Sequence, residues 1–123
     1  NDFDAIETLE DISTTKLDKK EISVLLNKVD LLKDSKLEIK NYSENMLKKL
    51  GIICTTLNNN KIILIEDVFK SLTQSDIDAV RILLLNLKSN GYLIIITGRQ
   101  KEEFTYFADK IYELESGTLN EIL

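Results

Sequence analysis

The stretch Lys61–Phe69, KIILIEDVF, constrains the fold more than any other part of the chain. Four consecutive aliphatic residues, Ile62, Ile63, Leu64 and Ile65, have the pattern of a strand buried on both faces, as at the centre of a parallel sheet. The run ends in two adjacent acids, Glu66 and Asp67. In open α/β sheets ligands bind beyond the carboxyl ends of strands, where carboxylates can hold magnesium or orient a water. These nine residues are equally compatible with a buried strand that merely exits into an acidic turn. The flanking sequence has to decide.

Upstream, everything reads as helix. Phe3, Ile6, Leu9 and Ile12 recur every three residues and predict a short amphipathic helix within residues 1–17. Asp18 followed by Glu21 resembles a capping box, after which Ile22, Leu25, Leu26, Val29 and Leu32 line one face. Residues 33–41, KDSKLEIKN, lack periodicity and are read as a loop. Ser43 is the expected N-cap of a third helix, with Met46, Leu47, Leu50, Ile53, Cys54 and Leu57 at helical spacing. Gly51 inside that helix should cost about 1 kcal/mol relative to Ala, which points to close packing there. Asn58, Asn59 and Asn60 are expected to break the helix.

Downstream, Ser75 with Asp78 marks another helix start, and Asn90-Gly91 its stop. Tyr92–Ile96 reads as a second buried strand. A short helix is expected over 100–109 with Phe104, Phe107 and Ala108 inward, then a third strand over Lys110–Leu114. Ser116-Gly117 turns the chain into a last strand, Thr118–Leu123. Alternating strands and helices imply right-handed crossovers and a mostly parallel sheet. Residues 1–60 thus form an all-helical subdomain, and residues 61–123 an α/β core.

Composition removes whole classes of chemistry. With no histidine among 123 residues, Ser-His-Asp and Cys-His triads and imidazole acid–base catalysis are impossible within this sequence. Its 4 glycines form neither GxxxxGK[ST] nor GxGxxG, so the sequence holds no phosphate-cradling loop. A single cysteine, Cys54, excludes an internal disulfide and fits a reducing compartment. A net charge of −5 without a basic block argues against nucleic acid, and no apolar run approaches the ~20 residues of a membrane span.

From Asn41 to Leu119 the chain resembles the ATP-binding subunits of ABC transporters, particularly the peptide-antibiotic export and immunity type. Asn41–Ile52, NYSENMLKKLGI, is similar to the signature segment of that family. Without a gap, Glu66-Asp67 then falls on the Walker B aspartate and the catalytic glutamate. Lys70-Ser71-Leu72-Thr73 falls on the D-loop, Arg99 on the switch histidine, and Phe107–Leu119, FADKIYELESGTL, on the closing strand pair. The helices of residues 1–40 correspond to the subdomain preceding the signature. The resemblance therefore implies a partial P-loop NTPase core of α/β class, its mostly parallel sheet preceded by an all-helical subdomain.

By resemblance, Asp67 and Arg99 occupy catalytic slots, Glu66 the magnesium slot, and Ser43, Glu44, Asn45 and Thr73 the ATP-contacting slots. Several of these residues depart from the family's pattern. Two glycines normally follow the signature serine, exposing a helix N-terminus to the γ-phosphate of ATP bound by the partner subunit. Glu44 and Asn45 stand there instead. Glu44 should stabilise the helix by about 0.3–1 kcal/mol, yet its carboxylate repels a phosphate.

Glu66 and Asp67 are exchanged relative to the family order. A misplacement of about 1 Å at a reacting centre can cost on the order of 100-fold. Val68 replaces a proline, and Thr73 the D-loop aspartate. Arg99 keeps a cation but cannot shuttle a proton, and a solvated arginine after a strand is the equal alternative. Cys54 is expected to be a small core residue. The family's Walker A loop, Q-loop and adenine contact all lie upstream of the matched region.

The resemblance implies ATP and magnesium as family cofactors, a second ATP-binding domain and a membrane permease as partners, and a cytoplasmic place at the inner face of the membrane. The leading expectation is a degenerate C-terminal half, unable to bind or hydrolyse ATP alone. One alternative is a weakly active ATPase when joined to an upstream Walker A half. The other is a free-standing interaction module, whose strand at 92–96 presents an apolar edge that invites pairing.

Overall fold

Helix ends in this protein are fixed by short-range side-chain chemistry. In the computed structural model, which describes residues 2–57 and 61–123, α1 (Ala5–Ile12) and α2 (Lys19–Lys28) each open with a reciprocal capping box. Asp4 accepts from the Glu7 amide, Asp18 from the Glu21 amide, and each glutamate bonds back to its cap. The first box has the same Asp-x-x-Glu spacing as the second. α2 ends in a Schellman motif: Leu31 N–H donates to Leu26 O, Asp30 N–H to Asn27 O, and Asp30 sits at φ 56°.

That reversal changes which residues reach the core. Beyond α2 it is Leu31 that is fully buried, whereas Leu32 is exposed and begins a short 3₁₀ turn, Leu32–Asp34. The loop expected over 33–41 contains that turn and a second, Ile39–Asn41. On α1 the buried pair is Ala5 and Leu9, one α-helical turn apart. Phe3 and Ile12, from the every-third-residue stripe, are exposed, because a spacing of three drifts off one face of a 3.6-residue helix.

α3 (Glu44–Thr55) begins where Ser43 predicts, with the Ser43 hydroxyl accepting from the Met46 amide. Leu50, Ile52 and Ile53 are buried on it, and Leu47 is exposed. Gly51 faces open space with nothing within 4 Å of a notional Cβ, so the expectation of close packing is wrong. The asparagine triplet 58–60 lies outside the described residues. α4 (Gln74–Ser89) starts two residues earlier than expected, capped by Thr73 rather than Ser75. It stops at Asn90-Gly91 as predicted, where Gly91 adopts φ 86° in a second Schellman turn.

β1 (Ile62–Ile65) and β2 (Leu93–Ile96) pair in parallel, Ile62 opposite Leu93 and Ile65 opposite Ile96. One face meets the core through Ile63, Ile65, Ile94 and Ile96. The other face is open: Ile62, Leu64, Leu93 and Ile95 are 50–68% exposed. Burial of both faces, expected from the aliphatic run, is therefore not found. The run records an apolar second face, but no described element covers it.

β3 (Tyr112–Glu115) and β4 (Thr118–Glu121) form a separate antiparallel hairpin instead of extending the parallel pair. Its two-residue loop, Ser116 at φ 51° and Gly117 at φ 79°, has the left-handed geometry that matches strand twist. The helix expected over 100–109 is only a 3₁₀ turn, Lys101–Glu103, since so short a segment gains too few hydrogen bonds to offset helix nucleation.

That segment is held by aromatics. Phe69, after β1, packs on Phe104 and Phe107 with ring centroids 6.0 and 5.8 Å away. Gly98 lies against the Phe104 ring, and an added Cβ would overlap that ring and come within 2.7 Å of the Glu103 carboxylate. Because Phe104 is buried and boxed by two other rings, it cannot swing away. Gly98→Ala should therefore destabilise the protein by about 1–3 kcal/mol, measured by denaturant unfolding.

Candidate functional site

The chemistry-bearing side chains gather where β1 and β2 end and the N-terminal half of α3 approaches. Past Ile65 the ladder continues for one step, Thr97 N–H donating to Ile65 O at 3.0 Å. The chain then turns sharply. Asp67 sits at φ 52° and Ser71 at φ 66°, left-handed conformations that a non-glycine residue adopts at a cost of about 1–3 kcal/mol. The turn carries Val68 and Phe69 into the core and leaves Asp67 half-buried at the strand end.

Asp67 is gripped through its backbone and faces a cation. Its amide donates to Thr97 O at 3.0 Å and to Thr97 Oγ1 at 3.1 Å. Arg99 Nε stands 3.8 Å from Asp67 Oδ2, with the Arg99 side chain largely exposed. The pair is loose and wet, and contributes little to stability. Glu66, next door, is exposed, and its carboxylate has no hydrogen-bond or ion-pair partner among the described residues. No group of three or more His, Cys, Asp or Glu side chains that could hold a metal occurs among the described residues.

The N-terminal turn of α3 is occupied by its own chain. Ser43 is engaged as the cap, and Glu44 is exposed in the first turn. Asn45 turns inward, its amide nitrogen 2.9 Å from Asp76 Oδ2 and 3.4 Å from Ser71 O. Thr73 donates to the same Asp76 oxygen at 2.9 Å, and Lys49 Nζ lies 3.2 Å from Asp76 Oδ1. Burial alone would push the Asp76 carboxyl up. Hydrogen bonds from Asn45, Thr73 and Lys49, with the Lys49 charge, outweigh it and hold the group below the ordinary value of 3.8. One turn along α3 from Asn45, Lys48 reaches the turn after β1.

The structure thus joins Asp67 with Arg99, and Asn45 with Thr73 through Asp76. It leaves Ser43 as a cap and Glu44 and Glu66 facing solvent. Lys48, Lys49 and Asp76 were missed in the sequence. The sequence signal for the two lysines is their adjacency within the signature-like segment Asn41–Ile52. Cys54 is half-buried and its thiol is pushed up by burial, against a weaker backbone hydrogen bond, so it is protonated near neutral pH. Among the described residues no helix is long and apolar enough to cross a membrane.

No family model matches the chain. In sequence it is 29% identical over 110 residues to the lantibiotic transport ATP-binding protein SrtF of Streptococcus pyogenes, covering 88% of this chain and 48% of that protein. It is 26% identical over 98 residues to an uncharacterized ABC transporter ATP-binding protein of Methanocaldococcus jannaschii, covering 80% and 37%. The chain spans about half the length of the curated relatives it matches.

Solved structures show the same fold at low identity. A chain from the inward-facing structure of an ABC transporter described as metal-chelate type superposes with a TM-score of 0.71 at 16% identity, over 98% of this chain and 53% of that one. An archaeal ribosome recycling factor, solved with a ribosomal stalk protein, gives 0.78 at 14% over 100% and 24%. The ATP-binding cassette of an ABC transporter in its ADP conformation gives 0.66 at 15% over 84% and 42%.

Proposed function

We propose, starting from a chain that has the fold of part of an ABC ATPase domain and is similar to ATP-binding proteins of ABC transporters, that it is a degenerate C-terminal half of such a subunit. In this reading it pairs with a second ATP-binding domain and docks on a membrane permease at the inner face of the membrane, in export of a peptide antibiotic. Residues 1–60 are its helical subdomain and residues 61–123 its Walker B side. Asp67 and Arg99 occupy the catalytic slots, Glu66 the magnesium slot, and Ser43, Glu44, Asn45 and Thr73 the nucleotide slots.

The observation that carries this reading is the closed N-terminus of α3. The serine hydroxyl caps its own helix, Asn45 bonds to Asp76 and Ser71, and the Glu44 carboxylate stands in the first turn. A phosphate there would meet negative charge and a side chain where close backbone approach is needed. Phosphoryl transfer also depends on a glycine loop and its lysine, which this sequence does not contain. The residues present therefore do not fit ATP.

The open face of β1 and β2 supports the need for complementation. Parallel sheets are normally covered on both faces, and here Leu64 is 68% exposed. The covering elements are the remaining layers of an ATPase domain, from the same polypeptide or another. Titration with ATP and magnesium tests the reading, with no saturable binding by this chain alone as the expected result.

A further inference from the structure

We infer that Lys48 is a positioning residue for Asp67, tying the signature-like helix to the acid after β1 within one chain. The inference rests on the reading above only in calling Asp67 a catalytic slot. The geometry stands by itself. Lys48 Nζ lies 2.6 Å from Asp67 O and 2.7 Å from Lys70 O, so one half-buried ammonium bridges both carbonyls of the turn. Those carbonyls bracket Val68 and Phe69, the two residues that anchor the turn in the core.

The contacts are to backbone oxygens rather than to a carboxylate. They act on conformation, and a charged donor makes them stronger than neutral hydrogen bonds. Asp67 and Ser71 both hold φ above 50°, which persists only where the surroundings over-determine it. Thr97 fixes the amide side of Asp67 and Lys48 its carbonyl side. With Asp67 held at both its amide and its carbonyl, its carboxylate stands 3.8 Å from Arg99 Nε. Lys70 N–H also reaches Asp67 O, at 3.2 Å, but among the described residues only Lys48 reaches Lys70 O.

Amide hydrogen exchange on the 123-residue chain tests this. Lys48→Met should speed exchange at the Asp67 amide by about tenfold or more, while Leu84, buried in α4, keeps its wild-type rate. Lys48→Arg retains donors and should restore slow exchange at Asp67. An unchanged Asp67 rate in Lys48→Met would overturn the inference, as would equal acceleration at Asp67 and Leu84 without rescue by arginine. Should the methionine variant not fold, the wild-type ammonium decides. Its proton signal should exchange more slowly than that of exposed Lys36, and solvent-averaged behaviour like Lys36 overturns the assignment. A failed nucleotide reading would appear in ATP titration and leave these measurements untouched.

Discussion

Lys49→Met should lower the stability of the protein by about 3 kcal/mol, one of the largest single-residue losses available outside the apolar core. Lys49 and Asp76 form a nearly buried ion pair, with side chains 7% and 14% exposed, between α3 and the start of α4. Removing one member of such a pair strands the other charge, which costs more than the pair contributes. Methionine keeps the volume of the lysine stem, so lost packing does not inflate the result. The residual hydrogen bonds from Asn45 and Thr73 place the loss at the lower end of the usual range for buried pairs.

The same variant carries a pH signature. Asp76 titrates lower in the folded protein than its ordinary value of 3.8. Its contribution to stability is therefore complete above that value and fades as pH falls through the lower, folded one. The stability gap between wild type and Lys49→Met should be constant near neutrality and narrow in acid below about pH 4. A gap that stays constant into strong acid would mean that the lysine acts by packing alone.

Ile53→Ala should cost about 2–5 kcal/mol, a large part of the 5–15 kcal/mol that typically separates folded from unfolded small domains. Ile53 is fully buried in a core it shares with residues from α1 to α4. Leu47→Ala on the same helix should cost only about 0.5 kcal/mol, because Leu47 is 45% exposed. The two residues look equivalent by helical spacing in the sequence, so urea unfolding of both variants distinguishes the observed burial from the periodicity alone. Near-equal losses would contradict it.

That pair shows where helical spacing misleads, whereas helix ends are where the sequence is most legible. Caps at Asp18, Ser43 and Asn90-Gly91 are legible because they depend on side chains bonding to backbone a few residues away. The Asp4 box is equally local, with its carboxylate and the Glu7 amide three residues apart. At the start of α4, Ser75 and Asp78 mimicked the true cap, Thr73 with Asp76, two residues on. Faces were harder. Leu31 replaced Leu32 because a left-handed Asp30, not a periodic pattern, reoriented the chain.

The site was legible as positions and illegible as contacts. Asp67 and Arg99 could be expected together, since adjacent parallel strands bring their ends together. Lys48 and Lys49 meet the turn after β1 and the start of α4 only through tertiary packing, which no spacing along α3 encodes. The aliphatic run of β1 also told more than the described residues use. It predicts two apolar faces, and one remains open at Ile62 and Leu64. The hairpin was foreseen from Ser116-Gly117, but its independence from the parallel pair was not.

Under the proposed function, Glu44 and Asn45 close the N-terminus of α3 to a phosphate, and the sequence holds no phosphate loop. Isothermal titration of the chain with ATP in the presence of magnesium addresses it most directly. No saturable heat of binding at micromolar nucleotide is expected. Stoichiometric binding with a micromolar Kd by this chain alone would contradict it.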